Sequence, residues 1–364
     1  MIDVRKLKIR DEVESLKYEP AVDLGDVVKG KAPPFIQDPV EFFKRTHLTE
    51  SMKTLVVKVI MNLIGLKEAS VGGRRFTATS NLILLPSDLG GGKTHSLILL
   101  YHVFNLIRES RSKDDAVSKL KMLDSDIAGF VNEHWDLIRS PPPNLVFKDC
   151  KYSDLAPSPA KPIEIGGRKI KTIWGYLGHV LGRYDAVRSS DEMETAPYAD
   201  ALLQVLNGSR AVVLIDEIGR YYDQSGLEPT RISAFLMNLA EALSKYNVRE
   251  VAVVITMPYE IRGGTVEAKP GMEYIHRGEL VEAVRDVLSR TNVEVIKPVS
   301  ERELAEILRK RIFAYDREEL DKMASEFSSS EAIREYPEYV KNILQSKGFW
   351  GEVRKTYPFH PMFL

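Results

Sequence analysis

A glycine-rich stretch of the sequence carries residue types that bind phosphate. It reads SDLGGGKT and ends in Lys93 and Thr94. In the pattern G-x-x-x-x-G-K-[ST], backbone N–H groups surround phosphate oxygens beside the start of a helix. Ser87 stands where that pattern begins with glycine, but the three glycines before Lys93 give the backbone the freedom that such a loop needs. These three residues are Gly90, Gly91 and Gly92.

This glycine loop predicts a binding site for a nucleoside triphosphate with Mg²⁺. The Lys93 ammonium is expected to contact the β- and γ-phosphates, and the Thr94 hydroxyl to bind the Mg²⁺. His95 follows directly, and its ring N–H is a candidate contact for the α-phosphate. The alternative is a glycine turn with an exposed lysine, which the apolar runs before and after the loop disfavour.

An acidic pair, Asp216 and Glu217, supplies the carboxylates that hydrolysis of a triphosphate requires. Asp216 is expected to hold the magnesium shell, and Glu217 to polarise the attacking water. Thr256 lies near the end of another apolar run, where its hydroxyl could reach the γ-phosphate or the water. Taken alone, such an acidic pair often begins a solvated loop, and a threonine often simply ends a strand. The glycine loop is what favours the catalytic interpretation.

Apolar runs are expected to form the buried strands that position these residues. They are Asn81–Leu85 before the glycine loop, Ala211–Ile215 before the acidic pair, and VAVVITMP, which contains Thr256. After Thr94, apolar residues recur at helical spacing, and a fourth strand is expected at Val293–Pro298. Strands that alternate with helices predict a parallel sheet covered on both faces, with ligands at the carboxyl ends of its strands.

Several segments resemble the DUF499 group of predicted AAA+ ATPases. They follow that family's order across nearly the whole chain, and GGGKTH and TIWGYLG are the most specific of them. The others are DPVEFFKRTHLTESMKTL, AVVLIDEIGRYY, SAFLMNLAEAL, SERELAEILRKRIF and YPFHPMFL. The resemblance implies ATP binding, ATP hydrolysis and a role as the motor or switch of a larger complex. The family is related in style to P-loop ATPases of prokaryotic anti-phage systems, so action on DNA is one option.

The resemblance also implies roles for two further residues. In AAA+ ATPases the polar residue at the position of Thr256 is called sensor 1. An arginine before the last strand often enters a neighbouring subunit's site, which would be Arg290 here, with Arg277 and Arg285 as competitors. Such an arginine would make hydrolysis depend on assembly into a homo-oligomer or a multi-protein complex. For any one of them, a solvated arginine at a helix end is the alternative.

We predict a three-layer α/β fold of the AAA+ P-loop NTPase type in three parts. Residues 1–75 form an N-terminal arm and helical cap, with a helical stretch from about Pro39 to Leu66. Residues 76–298 form the α/β core, and an insertion at about 109–200 contains a short strand at Leu145–Lys148. Residues 299–364 form a helical lid, which we expect to be incomplete because the resembling proteins are longer.

The composition indicates a folded protein without membrane or export signals. The chain has 52 acidic and 51 basic residues and a formal charge of -1, so its overall field does not support DNA binding. Cys150 is the single cysteine, which excludes an internal disulfide and favours a reducing compartment, the cytoplasm. The longest apolar runs are too short to span a bilayer, so we expect no membrane partner. The histidines lack metal-ligand spacing, and we expect no metal besides the nucleotide's Mg²⁺.

The leading hypothesis is therefore an ATPase that drives conformational change in an assembly. The alternative is a regulatory or scaffold module that holds ATP with little turnover. A P-loop phosphotransferase comes third, because small-molecule kinases usually lack an adjacent Asp-Glu pair followed by a strand with a sensor residue.

Overall fold

The computed structural model describes most of the chain, which divides into two compact units. The described residues are 8–15, 22–86, 92–152, 154–245, 248–262, 265–267, 277–300, 303–314, 318, 321–323, 325 and 357–359. The larger unit contains Ala21–Phe43 and Glu50–Pro298, and the smaller one contains Met1–Pro20, Lys44–Thr49 and Val299–Leu364.

Helices and strands alternate along the described chain. The helices are α1 Asp11–Glu14, α2 Leu24–Val28, α3 Pro34–Gln37, α4 Pro39–Arg45, α5 Glu50–Ile64, α6 Lys93–Glu109, α7 Lys113–Leu120, α8 Ser125–Glu133, α9 Trp135–Arg139, α10 Ile173–Val180, α11 Arg188–Glu192, α12 Ala199–Leu206, α13 Ile218–Gln224, α14 Pro229–Lys245, α15 Arg277–Arg290 and α16 Leu304–Ile312. The strands are β1 Lys8–Ile9, β2 Glu68–Val71, β3 Arg74–Thr77, β4 Leu82–Pro86, β5 Asn144–Asp149, β6 Ile163–Ile165, β7 Arg168–Ile170, β8 Ala211–Asp216, β9 Val251–Met257, β10 Glu260–Arg262, β11 Thr265–Glu267, β12 Glu294–Val295 and β13 Phe313–Ala314.

A five-stranded sheet forms the centre of the larger unit. Its strand order is β12–β4–β9–β8–β5, and every neighbouring pair is parallel. Every residue of β8 and β9 is buried, as expected for apolar strands covered on both faces. The mixed α/β architecture and the parallel sheet predicted from the sequence are therefore confirmed.

Helices cover both faces of this sheet. On one face, Val213 and Ile215 of β8 belong to a continuous apolar core that includes residues of α10, α12, α13, α14 and α15. On the other face, α5 and α6 contact β8 and β9. Because strand residues alternate between the faces, Asp216 and Thr256 fall on the face that α6 covers. This arrangement brings the start of α6 to the same end of the sheet as these two side chains.

The basic segment before β4 is a β-hairpin. Strands β2 and β3 pair antiparallel and are joined by Gly72 and Gly73, whose φ angles of 58° and 74° favour glycine. Arg74 forms an ion pair with Glu50 at 2.7 Å, and Arg75 is paired with Glu68. The two arginines of the GGRRF segment thus have acidic partners, as a solvated turn would.

The helical stretch expected from about Pro39 to Leu66 is interrupted. Helix α4 ends at Arg45 and α5 begins at Glu50. The segment between them contains two threonines and a histidine, which have low helix propensity. The Lys310 ammonium donates to the Thr46 carbonyl at 2.7 Å, so that carbonyl is bonded outside a helix. Residues 46–49 therefore join two helices, α4 and α5, within the helical stretch expected from the sequence.

The smaller unit contains helix α16 and one short strand pair. Strands β1 and β13 pair antiparallel, and Arg10 extends the pairing by donating from its amide to the Ile312 carbonyl at 2.9 Å. Arg309 of α16 is buried and donates to the Tyr357 carbonyl at 3.1 Å. Most of residues 299–364, the predicted lid, lies outside the described residues. No helix in the described part of the chain is long and apolar enough to cross a membrane.

Candidate functional site

The carboxyl ends of four parallel strands lie side by side, and we call this margin of the sheet the carboxyl edge. Leu85 of β4 is opposite Thr256 of β9, and Ile215 of β8 is opposite Ile255 of β9. Asp216 at the end of β8 is opposite Asp149 at the end of β5. Pairing in register therefore brings together polar residues from strands that are far apart in sequence.

The glycine loop joins β4 to α6 at this edge. Residues 87–91, including Gly90 and Gly91, lie outside the described residues. Gly92 has φ 77° and ψ 8°, a left-handed conformation that favours glycine, and α6 begins at Lys93. The Ser96 amide and hydroxyl both bond to the Gly92 carbonyl, at 2.9 Å and 2.8 Å. The start of a 17-residue helix follows the loop, and helix N-termini bind anions well through their backbone amides and positive dipole end.

Asp216 is the centre of a hydrogen-bond network. Its side chain is buried and accepts from the Thr256 hydroxyl at 2.6 Å. The Thr94 hydroxyl at the start of α6 also hydrogen-bonds to the Asp216 carboxylate. The structure thus brings together Thr94, Asp216 and Thr256, three of the residues singled out from the sequence. Their placement links the helix after the glycine loop to the ends of β8 and β9.

The electrostatics around Asp216 disfavour its charged form. Burial is the main cause that raises the pKa of Asp216, and the negative charge of Glu217 raises it further. The hydrogen bonds from Thr256 and Thr94 act in the opposite direction. A cation beside this carboxylate would compensate for its loss of hydration.

Glu217 follows β8 in a strained backbone conformation. Its φ of 56° and ψ of 42° lie in the left-handed region, which is uncommon for residues other than glycine. Its amide donates to Asp216 Oδ1 and to Thr256 Oγ1, both at 3.0 Å, which fixes this conformation. Its side chain is partly exposed, with Arg220 Nε 3.7 Å from its carboxylate. Strained residues that are held by their surroundings cluster at functional sites.

His95 and Lys93 lie in the first turn of α6. The His95 ring packs against the Phe42 ring of α4, with centroids 4.7 Å apart. His95 is therefore placed by packing at the helix start, while its predicted contact with a phosphate stays a prediction. Lys93 is the first residue of the helix, directly after Gly92.

The candidate arginines lie on one helix. Arg277, Arg285 and Arg290 all belong to α15, and Arg290 is its last residue. The Arg290 side chain is largely exposed and lies 3.5 Å from the Asp286 carboxylate, one helical turn earlier. Because its predicted role is at a neighbouring subunit's site, that role stays a prediction.

Asp149 is a residue of this edge that the sequence prediction missed. It is 1% exposed, and its carboxylate accepts from the amides of Gly25 at 2.9 Å and Lys151 at 3.0 Å. Burial, followed by the negative charge of Asp216, raises the pKa of Asp149 to about 6. The signal was available, because Asp149 ends the apolar run LVFKD as Asp216 ends AVVLID. Only the pairing of β5 with β8, however, makes the two acids neighbours.

The oxygen donors at this edge fit the chemistry of Mg²⁺. Mg²⁺ prefers hard oxygen ligands and usually takes one or two side chains together with phosphate oxygens and water. Thr94 and Asp216 supply a hydroxyl and a carboxylate that already share a hydrogen bond. In the described part of the chain there is no cluster of three or more His, Cys, Asp or Glu residues that could hold a metal by themselves. An Mg²⁺ ion at Asp216 would therefore need further oxygens, such as those of a bound phosphate group.

Comparison with known proteins assigns the chain to a family. Residues 2–295 match the DUF499 N-terminal domain, and residues 299–364 match the DUF499 second domain. The chain therefore belongs to the DUF499 family, which confirms the family named from its motifs. No match was found among curated proteins or among solved structures.

Proposed function

We propose that this DUF499 protein is a P-loop ATPase of the AAA+ type that uses ATP hydrolysis to drive conformational change in a larger assembly. The observation that carries the proposal is the hydrogen-bond network of Thr94, Asp216 and Thr256 at the carboxyl edge. This network supports the proposal because it contains a hydroxyl and a carboxylate, which are oxygen groups that Mg²⁺ prefers, at the start of the helix that follows a glycine loop.

Each residue has a role that follows from its place. Backbone amides of the loop and the first turn of α6 would bind the phosphates, together with Lys93. Thr94 and Asp216 would hold Mg²⁺, which supplies neutralisation of charge on the phosphate oxygens. Glu217 is partly exposed at the same edge and would orient the attacking water and accept its proton. Thr256 would keep Asp216 and the Glu217 backbone in position, since it bonds to both.

The assembly and its location rest on sequence arguments. Arg290 is exposed on α15, as a residue acting in a neighbouring subunit would be, and we propose a homo-oligomer or a multi-protein complex as the working form. Cys150 is a buried free thiol, which agrees with a reducing cytoplasmic environment. Nothing in the overall charge favours DNA as the substrate.

Phosphate release by the wild type and by Glu217→Gln tests the proposal. We expect Mg²⁺-dependent release of phosphate from ATP, and a loss of about 100-fold or more in Glu217→Gln with ATP binding retained. Glu241→Gln is the matched control, because Glu241 lies on α14 and pairs with Lys245 in the next turn. A wild type that binds ATP without releasing phosphate would instead favour the regulatory module. Transfer of phosphate to a small molecule would favour the phosphotransferase.

A further inference from the structure

A short N-terminal segment is attached to the chain that follows β5. We call residues 22–30 the docked segment; it contains α2. Asp23 accepts from Lys151 Nζ at 2.5 Å, and Asp26 accepts from the Tyr152 hydroxyl at 2.9 Å. The Gly25 amide donates to the Asp149 carboxylate at 2.9 Å. Asp149 at the end of β5, and Lys151 and Tyr152 shortly after it, thus hold this segment.

The fit between the docked segment and the end of β5 is close. A Cβ atom built on Gly25 would lie 2.5 Å from the Tyr152 ring and 3.1 Å from the Asp149 carboxylate, so only glycine fits there. Leu24 and Val27 are fully buried. Helix α2 also contacts α6, the helix that begins after the glycine loop. The docked segment therefore contacts two elements that form the candidate site.

Asp149 connects this segment to the predicted magnesium position. Both of its carboxylate oxygens accept backbone amides, Oδ2 from Gly25 and Oδ1 from Lys151. These two bonds hold the carboxylate in place. It lies opposite Asp216 on the next strand, on the same face of the sheet. Because the two acids are neighbours and both are buried, the negative charge of Asp149 would attract a cation that is bound at Asp216.

We propose that Asp149 is a positioning residue of the proposed magnesium site, and that the docked segment controls it. When residues 22–30 are docked, the Gly25 amide fixes the Asp149 charge beside Asp216 and strengthens magnesium binding. Without the Gly25 amide bond, Asp149 would keep one of its two amide donors and magnesium binding would weaken. The docked segment thus supports the magnesium site through Asp149, and this inference rests on the function proposed above.

The test measures nucleotide affinity as a function of magnesium, without relying on turnover. A fluorescent ATP analogue is titrated into the full chain at several magnesium concentrations and also in EDTA. In Asp149→Asn we expect the magnesium concentration for half-maximal tightening to rise about tenfold, because a unit charge near the cation is removed. The affinity in EDTA should stay unchanged. Loss of magnesium-dependent tightening alone is a result that general damage to the fold would not give.

Two variants at the contact between the docked segment and the chain after β5 test its control over Asp149. Gly25→Ala places a methyl group against Tyr152, and Tyr152→Phe removes only the bond to Asp26. Each should raise the magnesium requirement, by about threefold in Tyr152→Phe, since one hydrogen bond to the Asp26 carboxylate is lost. If the segment acts through Asp149, adding either change to Asp149→Asn should have no further effect. Tyr152→Phe keeps the test decisive if Gly25→Ala fails to fold.

The matched control is a buried carboxylate on the opposite edge strand. Glu294 of β12 accepts from Lys58 Nζ at 2.5 Å and from the Thr79 amide at 2.6 Å, and it lies opposite Ile83, before the end of β4. Glu294→Gln should lower thermal stability but leave the magnesium requirement unchanged. An unchanged requirement in Asp149→Asn, or an additive effect of Gly25→Ala on it, would overturn the inference. A wild type that binds no nucleotide would instead overturn the proposed function.

Discussion

Asp191 and Asp216 are both buried aspartates of the larger unit, and both accept hydrogen bonds from several donors. Asp191 accepts from the Lys171 amide at 3.1 Å, the Thr172 hydroxyl and the Tyr184 hydroxyl at 2.9 Å. It lies beside the start of α10, whose N-cap is Thr172. Asp216 lies at the carboxyl edge, beside the start of α6 and close to two other acids.

The difference lies in the surroundings and not in the number of bonds. A Cβ atom on Gly175 would lie 2.2 Å from the Asp191 carboxylate, so α10 closes directly over that acid. Asp216 instead bonds to a hydroxyl at the start of the helix that follows the glycine loop. Burial alone therefore does not mark a functional acid. We expect Asp191 to act on stability and Asp216 to act on ligand binding.

The environment of Asp191 also gives a structural role to the TIWGYLG segment, which the sequence analysis singled out. Thr172 caps α10 by accepting from the Gly175 amide at 3.0 Å, and Trp174 is fully buried against Phe235. Because Gly175 has no side chain, the Asp191 carboxylate fits directly against it. This segment is thus distinctive because it packs closely, whereas GGGKTH is distinctive for its proposed chemistry.

The largest expected effect comes from adding a methyl group at Gly175, which lies against the Asp191 carboxylate. Gly175→Ala should lower the free energy of unfolding by about 3 kcal/mol, because a methyl group must displace a buried carboxylate. Gly129→Ala is the matched control, since Gly129 lies within α8 with nothing within 4 Å of its added Cβ. That control should be neutral or stabilising by about 0.5–1 kcal/mol. Denaturant unfolding measures both, and equal effects would contradict the close fit at Asp191.

Neutralising the two acids should have opposite effects. Asp191→Asn should lower the free energy of unfolding by about 2 kcal/mol, because an amide N–H₂ replaces an acceptor oxygen that faces a donor. Asp216→Asn should keep or increase stability, by up to about 1 kcal/mol, while Mg²⁺-dependent nucleotide binding is lost.

The free energy of unfolding should depend on pH in a way that shows whether Asp216→Asn stabilises the protein. Because burial raises the pKa of Asp216, the wild type loses stability as the pH rises through that raised pKa. The gain in Asp216→Asn should therefore be largest at alkaline pH and shrink towards acid pH. Denaturant unfolding at several pH values, without nucleotide or magnesium, measures it. If Asp216→Asn lowers the free energy of unfolding as much as Asp191→Asn does, the two acids do not differ in their contribution to stability.

The smallest expected effects come from the threonines that bond to each acid. Thr172→Val and Thr256→Val each remove a hydroxyl bonded to a buried carboxylate, and each should lower the free energy of unfolding by about 1 kcal/mol. Only Thr256→Val should also lower phosphate release, by roughly tenfold, because Thr256 positions Asp216 and Glu217. Steady-state assays of both variants provide the measurement, and a loss of turnover in Thr172→Val would count against the assignment.

Local patterns predicted much of the fold, but they could not predict which strands are neighbours. Three apolar runs were predicted to be strands: the one before the glycine loop, the one before Asp216 and the one that contains Thr256. They correspond to β4, β8 and β9, and their predicted bounds are close to the observed ones. Asp149 was missed because its neighbour Asp216 lies 67 residues later along the chain, and only strand pairing joins them. The helical spacing from Pro39 to Leu66 did not show the break between α4 and α5, where the Thr46 carbonyl accepts from Lys310, far away in sequence.

Equilibrium binding of ATP with Mg²⁺ to the wild type and to Lys93→Ala measures directly whether phosphate binds at the start of α6. We expect saturable binding with a dissociation constant below about 1 mM, weakened at least tenfold in Lys93→Ala and upon removal of magnesium. Absence of saturable binding by the wild type, or equal affinities of the two proteins, would contradict a phosphate site at the start of α6.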